Sequence, residues 1–197
     1  MALRMSVKLN NVTHLTDARY GAGMGVEWIG FCLDSEHANY ITAHQYMEMS
    51  GWIVGIKRVG EFYQKDVIEI KNILSFYSID WIETERIDQV VEISKLGYPI
   101  ILRLKESDLE KIANLIPSPF IQHILLEVNH LTEAYLEKIK KEYPHYKIII
   151  SNPIQLSQLP FLFTYADGIA LTGKEEIKTG YKDFGELAEI LEALEED

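Results

Sequence analysis

The chain has 197 residues, of which 47% are hydrophobic and 25% are charged, and this balance excludes a disordered or fibrous protein. The formal net charge of −11 argues against a broad nucleic-acid-binding face, which needs clustered basic residues. No apolar run approaches the roughly 20 residues of a membrane-spanning helix. The N-terminus does not have the pattern of a secretory signal, and Cys32 is the only cysteine, so no internal disulfide can form. We therefore expect a cytoplasmic protein that binds neither nucleic acid nor membrane.

Short apolar runs and amphipathic helical segments alternate along the chain. In the first unit an alternating run at 5–9 predicts a strand, Thr16 can cap the helix that follows, and the glycines from Gly21 to Gly25 end that helix. Seven further apolar or β-branched runs predict strands at 27–31, 52–60, 80–84, 99–104, 121–128, 146–151 and 167–171. The segments between them predict helices at 42–50, 65–77, 88–96, from Ser107 to before Pro117, 132–143, 153–163 and 184–194.

This strict alternation predicts parallel strands that are joined by helical crossovers. Eight such units predict a compact (β/α)8 TIM barrel, shorter than the typical length of about 250 residues. An open, doubly wound sheet is the alternative, but it usually has fewer units, and no Gly-x-Gly-x-x-Gly motif follows the first strand. No linker or shift in composition divides the sequence, so we expect residues 1–197 to form one domain.

Barrel enzymes place their active sites at the C-terminal ends of the strands, often with phosphate held by the last two loops. Several cations, amides and hydroxyl groups stand at or near these predicted ends, and this rim would suit a small anionic ligand. We predict contacts to a substrate or phosphate group from Lys8, Arg103, Ser151, Asn152, Thr172, Gly173 and Lys174. The alternative for the cations is a solvated rim or an ion pair, and for the loop around Lys174 it is a plain surface loop. Lys57 and Arg58 are further candidates, at the end of the predicted third strand.

Acid–base chemistry at this rim has few candidates. Glu127 ends the predicted sixth strand and is the best candidate for a general acid. Asn10, after the first strand, could orient a ligand but has no useful basicity. Glu83 could instead form an interior, structural ion pair with Arg103 from the neighbouring strand. Cys32 fits a buried small hydrophobe better than a nucleophile, and the histidines form no spacing typical of a metal site, so we predict neither metal nor cofactor.

The opening unit resembles phosphoribosylanthranilate isomerase, a small barrel enzyme of tryptophan biosynthesis. The family begins roughly K-I-C-G-x-T, continues with a D-A helix, and then reads G-A-D-x-x-G-F. The matching segments here are Lys8 to Thr13, Asp17-Ala18 and Gly25 to Phe31, and later motifs follow in the same order at Val59 to Phe62, Asp80 to Ile82, Thr172-Gly173 and Gly180 to Asp183. The resemblance covers nearly the whole chain, although no single motif is intact.

The resemblance implies an Amadori-type isomerisation of a phosphoribosyl substrate, with a cysteine after the first strand as general base and an aspartate after the sixth as general acid. These positions hold Asn10 and Glu127 here, and the family's substrate-binding arginine maps to Asn39. Its Gly-Gly phosphate turn maps to Ser151-Asn152, so only the loop from Thr172 to Lys174 is retained.

We therefore expect a divergent member of this family with weak or absent isomerase activity that still binds a small phosphorylated metabolite, as a monomer or homodimer. One alternative is an active isomerase that uses Glu127 as its acid together with a base that the sequence does not identify. The other is a non-catalytic interaction or regulatory barrel.

Overall fold

The computed structural model describes residues 2–112, 119–151, 153–173 and 185–196, and in them eight parallel strands close into a barrel in chain order. The strands are β1 (Ser6–Asn10), β2 (Trp28–Cys32), β3 (Lys57–Phe62), β4 (Trp81–Thr84), β5 (Ile100–Lys105), β6 (Ile121–Glu127), β7 (Lys147–Ser151) and β8 (Gly168–Thr172). The helices are α1 (Leu15–Gly23), α2 (Ala43–Ser50), α3 (Val67–Ile73), α4 (Val90–Ser94), α5 (Leu109–Ile112), α6 (Glu133–Glu142), α7 (Leu159–Tyr165) and α8 (Gly185–Ala193). The predicted (β/α)8 barrel is confirmed.

Side chains alternate between the barrel interior and the helical layer, as parallel strands require. The interior holds a separate apolar cluster formed by Trp28, Val59, Trp81, Ile101, Leu125, Ile149 and Ala170. Two residues further along each strand, on the same face, stand Gly30, Glu61, Glu83, Arg103, Glu127, Ser151 and Thr172. The barrel therefore has an apolar interior below a polar layer at the C-terminal ends of its strands.

Local capping sets where several helices begin after these strand ends. The Asp66 carboxylate accepts hydrogen bonds from the backbone N–H groups of Ile68 and Glu69 at 2.9 and 2.8 Å, which satisfies the first turn of α3. Thr42 and Gln45 form the same reciprocal arrangement at the start of α2. Within the described ranges, no helix combines the length and apolar character needed to cross a bilayer.

Two predicted boundaries were wrong for identifiable reasons. The third strand begins at Lys57 and not at Trp52, because the apolar run before it turns at Gly55, whose φ is 85°. Trp52 and Val54 are 60% and 89% exposed in that turn. Helix α1 begins at Leu15, so Thr16 is a helical residue and not the cap.

Candidate functional site

A chain of buried ion pairs crosses the polar layer inside the barrel. Lys8 on β1 is fully buried, and its Nζ contacts the Glu61 carboxylate and lies 3.0 Å from Glu83 Oε2. Arg103 on β5, which is 5% exposed, lies 2.6 Å from Glu83 Oε1 and also donates to Glu127 Oε1 at 2.7 Å. The interior pair that the sequence suggested between Glu83 and Arg103 is thus present, as part of a five-residue network. We call Lys8, Glu61, Glu83, Arg103 and Glu127 the ion network.

Within this network, Glu83 and Arg103 hold each other in their charged forms. Burial works against ionisation of Glu83, but Arg103 and Lys8 lower the pKa of its carboxyl group. Burial likewise disfavours the charged guanidinium, yet Glu83 raises the pKa of Arg103 well above its usual value. Both cations are therefore engaged inside the barrel, and removing either would leave a buried carboxylate without its partner.

Asn10 is built into the same layer. It is 2% exposed, its Oδ1 accepts a hydrogen bond from Lys8 Nζ at 2.6 Å, and its Nδ2 donates to Ser151 Oγ at 3.4 Å. The amide thus ties β1 to β7 at the position where the family resemblance implies a basic cysteine. An amide in this arrangement orients its neighbours and cannot take up a proton at neutral pH.

Loop side chains cover the ion network at the end of the barrel. Asn11 adopts a left-handed conformation with φ of 50°, and its backbone N–H donates to Glu61 Oε2 at 3.1 Å. Tyr63 donates to Asn11 Oδ1 at 2.9 Å, and its ring lies 5.3 Å from the guanidinium carbon of Arg103. His37 stacks on the Tyr63 ring with centroids 4.4 Å apart. The part of the barrel mouth above these groups is therefore filled by side chains.

An open cavity of about 430 Å³ lies beside this covered region, at the ends of β6, β7 and β8 and the first turns of α8. Four of the predicted site residues line it, namely Glu127, Ser151, Thr172 and Gly173. Lys8 and Arg103 are not among the lining residues and belong to the ion network. Asn152 and Lys174 lie outside the described residues. The structure therefore brings the acid candidate and part of the predicted phosphate loop to one cavity.

The other candidate residues either lie away from this cavity or have a side chain that is unreactive at neutral pH. Lys57 and Arg58 begin β3 and do not end it, so they lie at the opposite end of the barrel, where they pair with Glu27 and Asp80. Burial raises the pKa of the Cys32 thiol to about 12, which keeps it protonated at neutral pH. In the described part of the chain, no three His, Cys, Asp or Glu side chains are grouped closely enough to hold a metal ion.

The sequence reasoning missed Glu61 and Tyr63. Glu61 lies just beyond the strand predicted at 52–60, although its spacing of two from Val59 indicates the same interior face. Tyr63 belongs to the loop after β3, and no local pattern predicts that it folds over Arg103.

No protein-family model matches the sequence, and no curated protein matches it at a significant level. Solved structures do match. The phosphoribosylanthranilate isomerase from Thermotoga maritima aligns with a TM-score of 0.76 at 17% identity, covering 96% of this chain and 98% of that chain. The enzyme from Thermus thermophilus aligns with a TM-score of 0.74 at 20% identity, covering 96% of each chain. A glycerol uptake operon antiterminator regulatory protein from Listeria monocytogenes aligns with a TM-score of 0.63 at 14% identity, covering 89% of this chain and 96% of that chain.

These identities are low enough that the likeness is one of fold, and the fold is shared over almost the full length of both chains. The resemblance read from the sequence is thereby confirmed at the level of the fold: this chain has the same barrel fold as these phosphoribosylanthranilate isomerases, at 17–20% sequence identity.

Proposed function

We propose that this chain is an isomerase-like barrel whose phosphoribosylanthranilate isomerase activity is weak or absent and which binds a small molecule in the cavity at the ends of β6 to β8. The observation that carries the proposal is the environment of Asn10. Its side chain is buried and hydrogen-bonded to Lys8 and Ser151. The implied reaction needs a base at this position, and the residue present has neither the basicity nor the freedom to act as one.

Among the described residues, Glu61, Glu83 and Cys32 offer no replacement base. Glu61 and Glu83 are buried and ion-paired with Lys8 or Arg103, so neither is available to take a proton from a substrate. The Cys32 thiol, with a pKa of about 12, stays protonated. General acid–base catalysis typically contributes about 10²–10⁴-fold to a rate. A loss of that size at the base alone is the reason we expect weak or absent turnover.

The cavity supports retained ligand binding. Its volume of about 430 Å³ lies in the usual range for small-molecule sites, roughly 300–1,000 Å³. Thr172 and Gly173 lie at the end of β8, where barrels commonly bind phosphate, and Ser151 adds a hydroxyl group from β7. A phosphorylated metabolite remains the ligand that the sequence resemblance suggests. Contacts from Lys8 and Arg103 remain predictions, and both side chains would have to leave their ion pairs to make them.

Complementation of an isomerase-deficient strain tests the loss of activity. We expect the gene to fail to restore growth without tryptophan, whereas a gene for an active isomerase restores it. Immunoblotting confirms that the protein accumulates, so that failure cannot be attributed to poor expression. Growth at the rate of the active control would overturn the proposal and favour the active isomerase with Glu127 as its acid. In that case Glu127→Gln should abolish growth, and Glu137→Gln, which removes an exposed carboxylate on α6, should leave it unchanged.

A second candidate is a regulatory barrel without catalytic activity. Two observations favour it: loop side chains fill the mouth above the ion network, and the fold also resembles that of a regulatory protein from Listeria monocytogenes. This candidate differs from the first in requiring no ligand in the cavity. Binding of a small molecule to the cavity, measured by calorimetry and mapped by NMR, distinguishes the two.

A further inference from the structure

Three large apolar side chains are exposed on neighbouring connections at the N-terminal end of the barrel. Trp52 and Val54 lie in the turn before β3 and are 60% and 89% exposed, and Phe76 lies in the connection before β4 and is 70% exposed. The two connections lie side by side, because β3 pairs with β4 and the Tyr46 hydroxyl group on α2 donates to the backbone carbonyl of Ser78. We call Trp52, Val54 and Phe76 the apolar patch.

The conformation of the chain does not require apolar residues at these positions. Val54 immediately precedes Gly55, whose φ of 85° turns the chain, and polar residues are the usual choice beside such a turn. Single apolar side chains on a surface are ordinary, whereas a contiguous group of large ones marks a surface that contacts another molecule. The apolar patch is therefore a candidate interaction surface.

The distribution of charge favours a second copy of this chain as the molecule that covers the patch. The sequence has 30 acidic and 19 basic residues, yet the segments 49–60 and 70–79, which contain the patch, include no Asp or Glu. The cations at the start of β3 are already engaged, in the pairs Lys57–Glu27 and Arg58–Asp80. Two copies with a net charge of −11 can therefore approach at these segments without bringing their many carboxylates together.

Both signs of charge flank the apolar patch. The guanidinium carbon of Arg19 on α1 lies 5.1 Å from the Trp52 ring centroid, Lys71 stands in the last turn of α3, and Glu48 on α2 precedes Trp52 by four residues. A twofold dimer interface uses the same surface on both subunits, so that surface has to complement itself. An apolar centre with cations and a carboxylate at its edge meets this requirement.

The area of the patch fits the centre of such an interface. An aromatic side chain has about 150–250 Å² of surface, so the exposed parts of Trp52 and Phe76 amount to roughly 200–300 Å² on one copy, and Val54 adds to them. Counted on both copies, the two aromatic side chains alone supply roughly a third to a half of the 1,200 Å² or so that the smallest stable interfaces bury. Polar residues around an apolar centre supply the rest in typical interfaces.

We propose that this chain forms a homodimer in which the apolar patches of two copies pack against each other around a twofold axis. The cavity at the ends of β6 to β8 lies at the opposite end of the barrel and stays open on both copies. The inference goes beyond the proposed function and does not depend on it, because a dimer of this kind forms with or without isomerase activity.

Sedimentation velocity of the full chain tests this assignment between about 1 and 100 µM, the range in which a weak dimer dissociates. We expect a species of twice the 22.7 kDa chain mass at the highest concentration. Val54→Asp should weaken the dimer at least about tenfold, because it places a carboxylate from each copy in the interface. The matched control is Ile68→Asp at the start of α3, where an apolar side chain is 68% exposed at the other end of the barrel, and it should leave the dimer unchanged.

Tryptophan fluorescence of the unaltered protein gives a second test that requires no variant. Trp52 is the exposed one of the three tryptophans, since Trp28 and Trp81 are buried. Quenching by acrylamide should therefore fall as the protein concentration rises and the dimer forms. A monomer at every concentration would overturn the inference and leave the patch to a different protein. A dimer that Val54→Asp leaves intact, or in which Trp52 stays equally open to acrylamide, would overturn it as well.

Discussion

Gly30 and Glu61 stand so close across β2 and β3 that a methyl group on Gly30 would overlap the Glu61 carboxylate and come within 2.7 Å of Lys8 Nζ. The missing side chain is therefore what allows Lys8 on β1 to reach Glu61 on β3 across the intervening strand. The ion network depends on the shape of the barrel wall as well as on its charged residues.

Gly30→Ala should consequently displace the contact between Lys8 and Glu61. We expect a loss of about 3 kcal/mol in the free energy of unfolding, the range of overpacking combined with disruption of a buried ion pair. Urea denaturation measures this loss. The matched control is Gly23→Ala in α1, where a methyl group meets no atom within 4 Å and should stabilise the helix by up to about 1 kcal/mol. Equal effects of the two substitutions would show that the ion network tolerates the added methyl group.

Lys8→Met should leave Glu61 and Glu83 facing each other without their shared cation. Breaking a buried pair in this way typically costs about 3–5 kcal/mol. Adding Glu61→Gln to the same variant should recover part of the loss, because it removes the carboxylate left without a cation, whereas Glu83 keeps its pair with Arg103. The two effects should therefore be strongly non-additive in a double-mutant cycle. Lys95→Met, which breaks an exposed pair with Glu92, should cost less than about 1 kcal/mol. Additive effects of the first two substitutions would contradict the coupling.

His123 should make the protein sensitive to mild acid. Its ring is 7% exposed and packs edge-on against Trp28, with ring centroids 5.0 Å apart. Burial, reinforced by Lys147, lowers the pKa of this side chain from 6.5 to about 4, so the folded state favours the neutral ring. The unfolded chain takes up the proton first as the pH falls, and stability is therefore lost between about pH 6.5 and pH 4.

Between pH 7 and pH 5 this single group should account for about 2 kcal/mol of the loss in unfolding free energy. His123→Phe keeps an aromatic ring against Trp28 and should remove that part of the pH dependence. His44→Gln, at an exposed position on α2, should leave it unchanged. Urea denaturation of the three proteins at both pH values measures the difference. An unaltered pH dependence in His123→Phe would show that the buried histidine is not its source.

The left-handed backbone of Asn11 gives a further test. Asn11→Gly keeps the φ of 50° without strain and loses the hydrogen bond from Tyr63, a loss of about 1 kcal/mol. Asn11→Val should cost about 1–2 kcal/mol more than Asn11→Gly, because a β-branched residue is strained in this conformation. Similar free energies of unfolding for Asn11→Gly and Asn11→Val would contradict the expected strain at this left-handed position.

Most of the fold could be predicted because each strand is a short apolar or β-branched run and each helix has a recognisable apolar face. The errors arose where the local amino-acid composition favours one structure and the folded chain adopts another. Trp52 and Val54 have the composition of a strand, but Gly55 turns the chain there and leaves both side chains exposed. Pro160 weakens the predicted helix at 153–163, but it lies in the first turn of α7, where a missing N–H group is tolerated.

Contacts within the site could be predicted only between residues on adjacent strands whose side chains point to the same face of the sheet. Glu83 and Arg103 lie on adjacent strands with the same alternation, so their pairing could be anticipated. The contact between Lys8 and Glu61 could not, because it crosses the intervening strand β2 and depends on the space left by Gly30. The position of Tyr63 over Arg103 is likewise set by contacts between loops that are distant in sequence.

A single-turnover assay of phosphoribosylanthranilate isomerisation, with the protein in excess over substrate, tests the loss of activity most directly. The protein should come from a host that lacks its own isomerase, so that no contaminating enzyme contributes. We predict conversion at, or only slightly above, the rate in a matched solution without the protein, because Asn10 supplies no base. Conversion many times faster than this background, lost in Glu127→Gln and kept in Glu137→Gln, would contradict the account and identify an active isomerase.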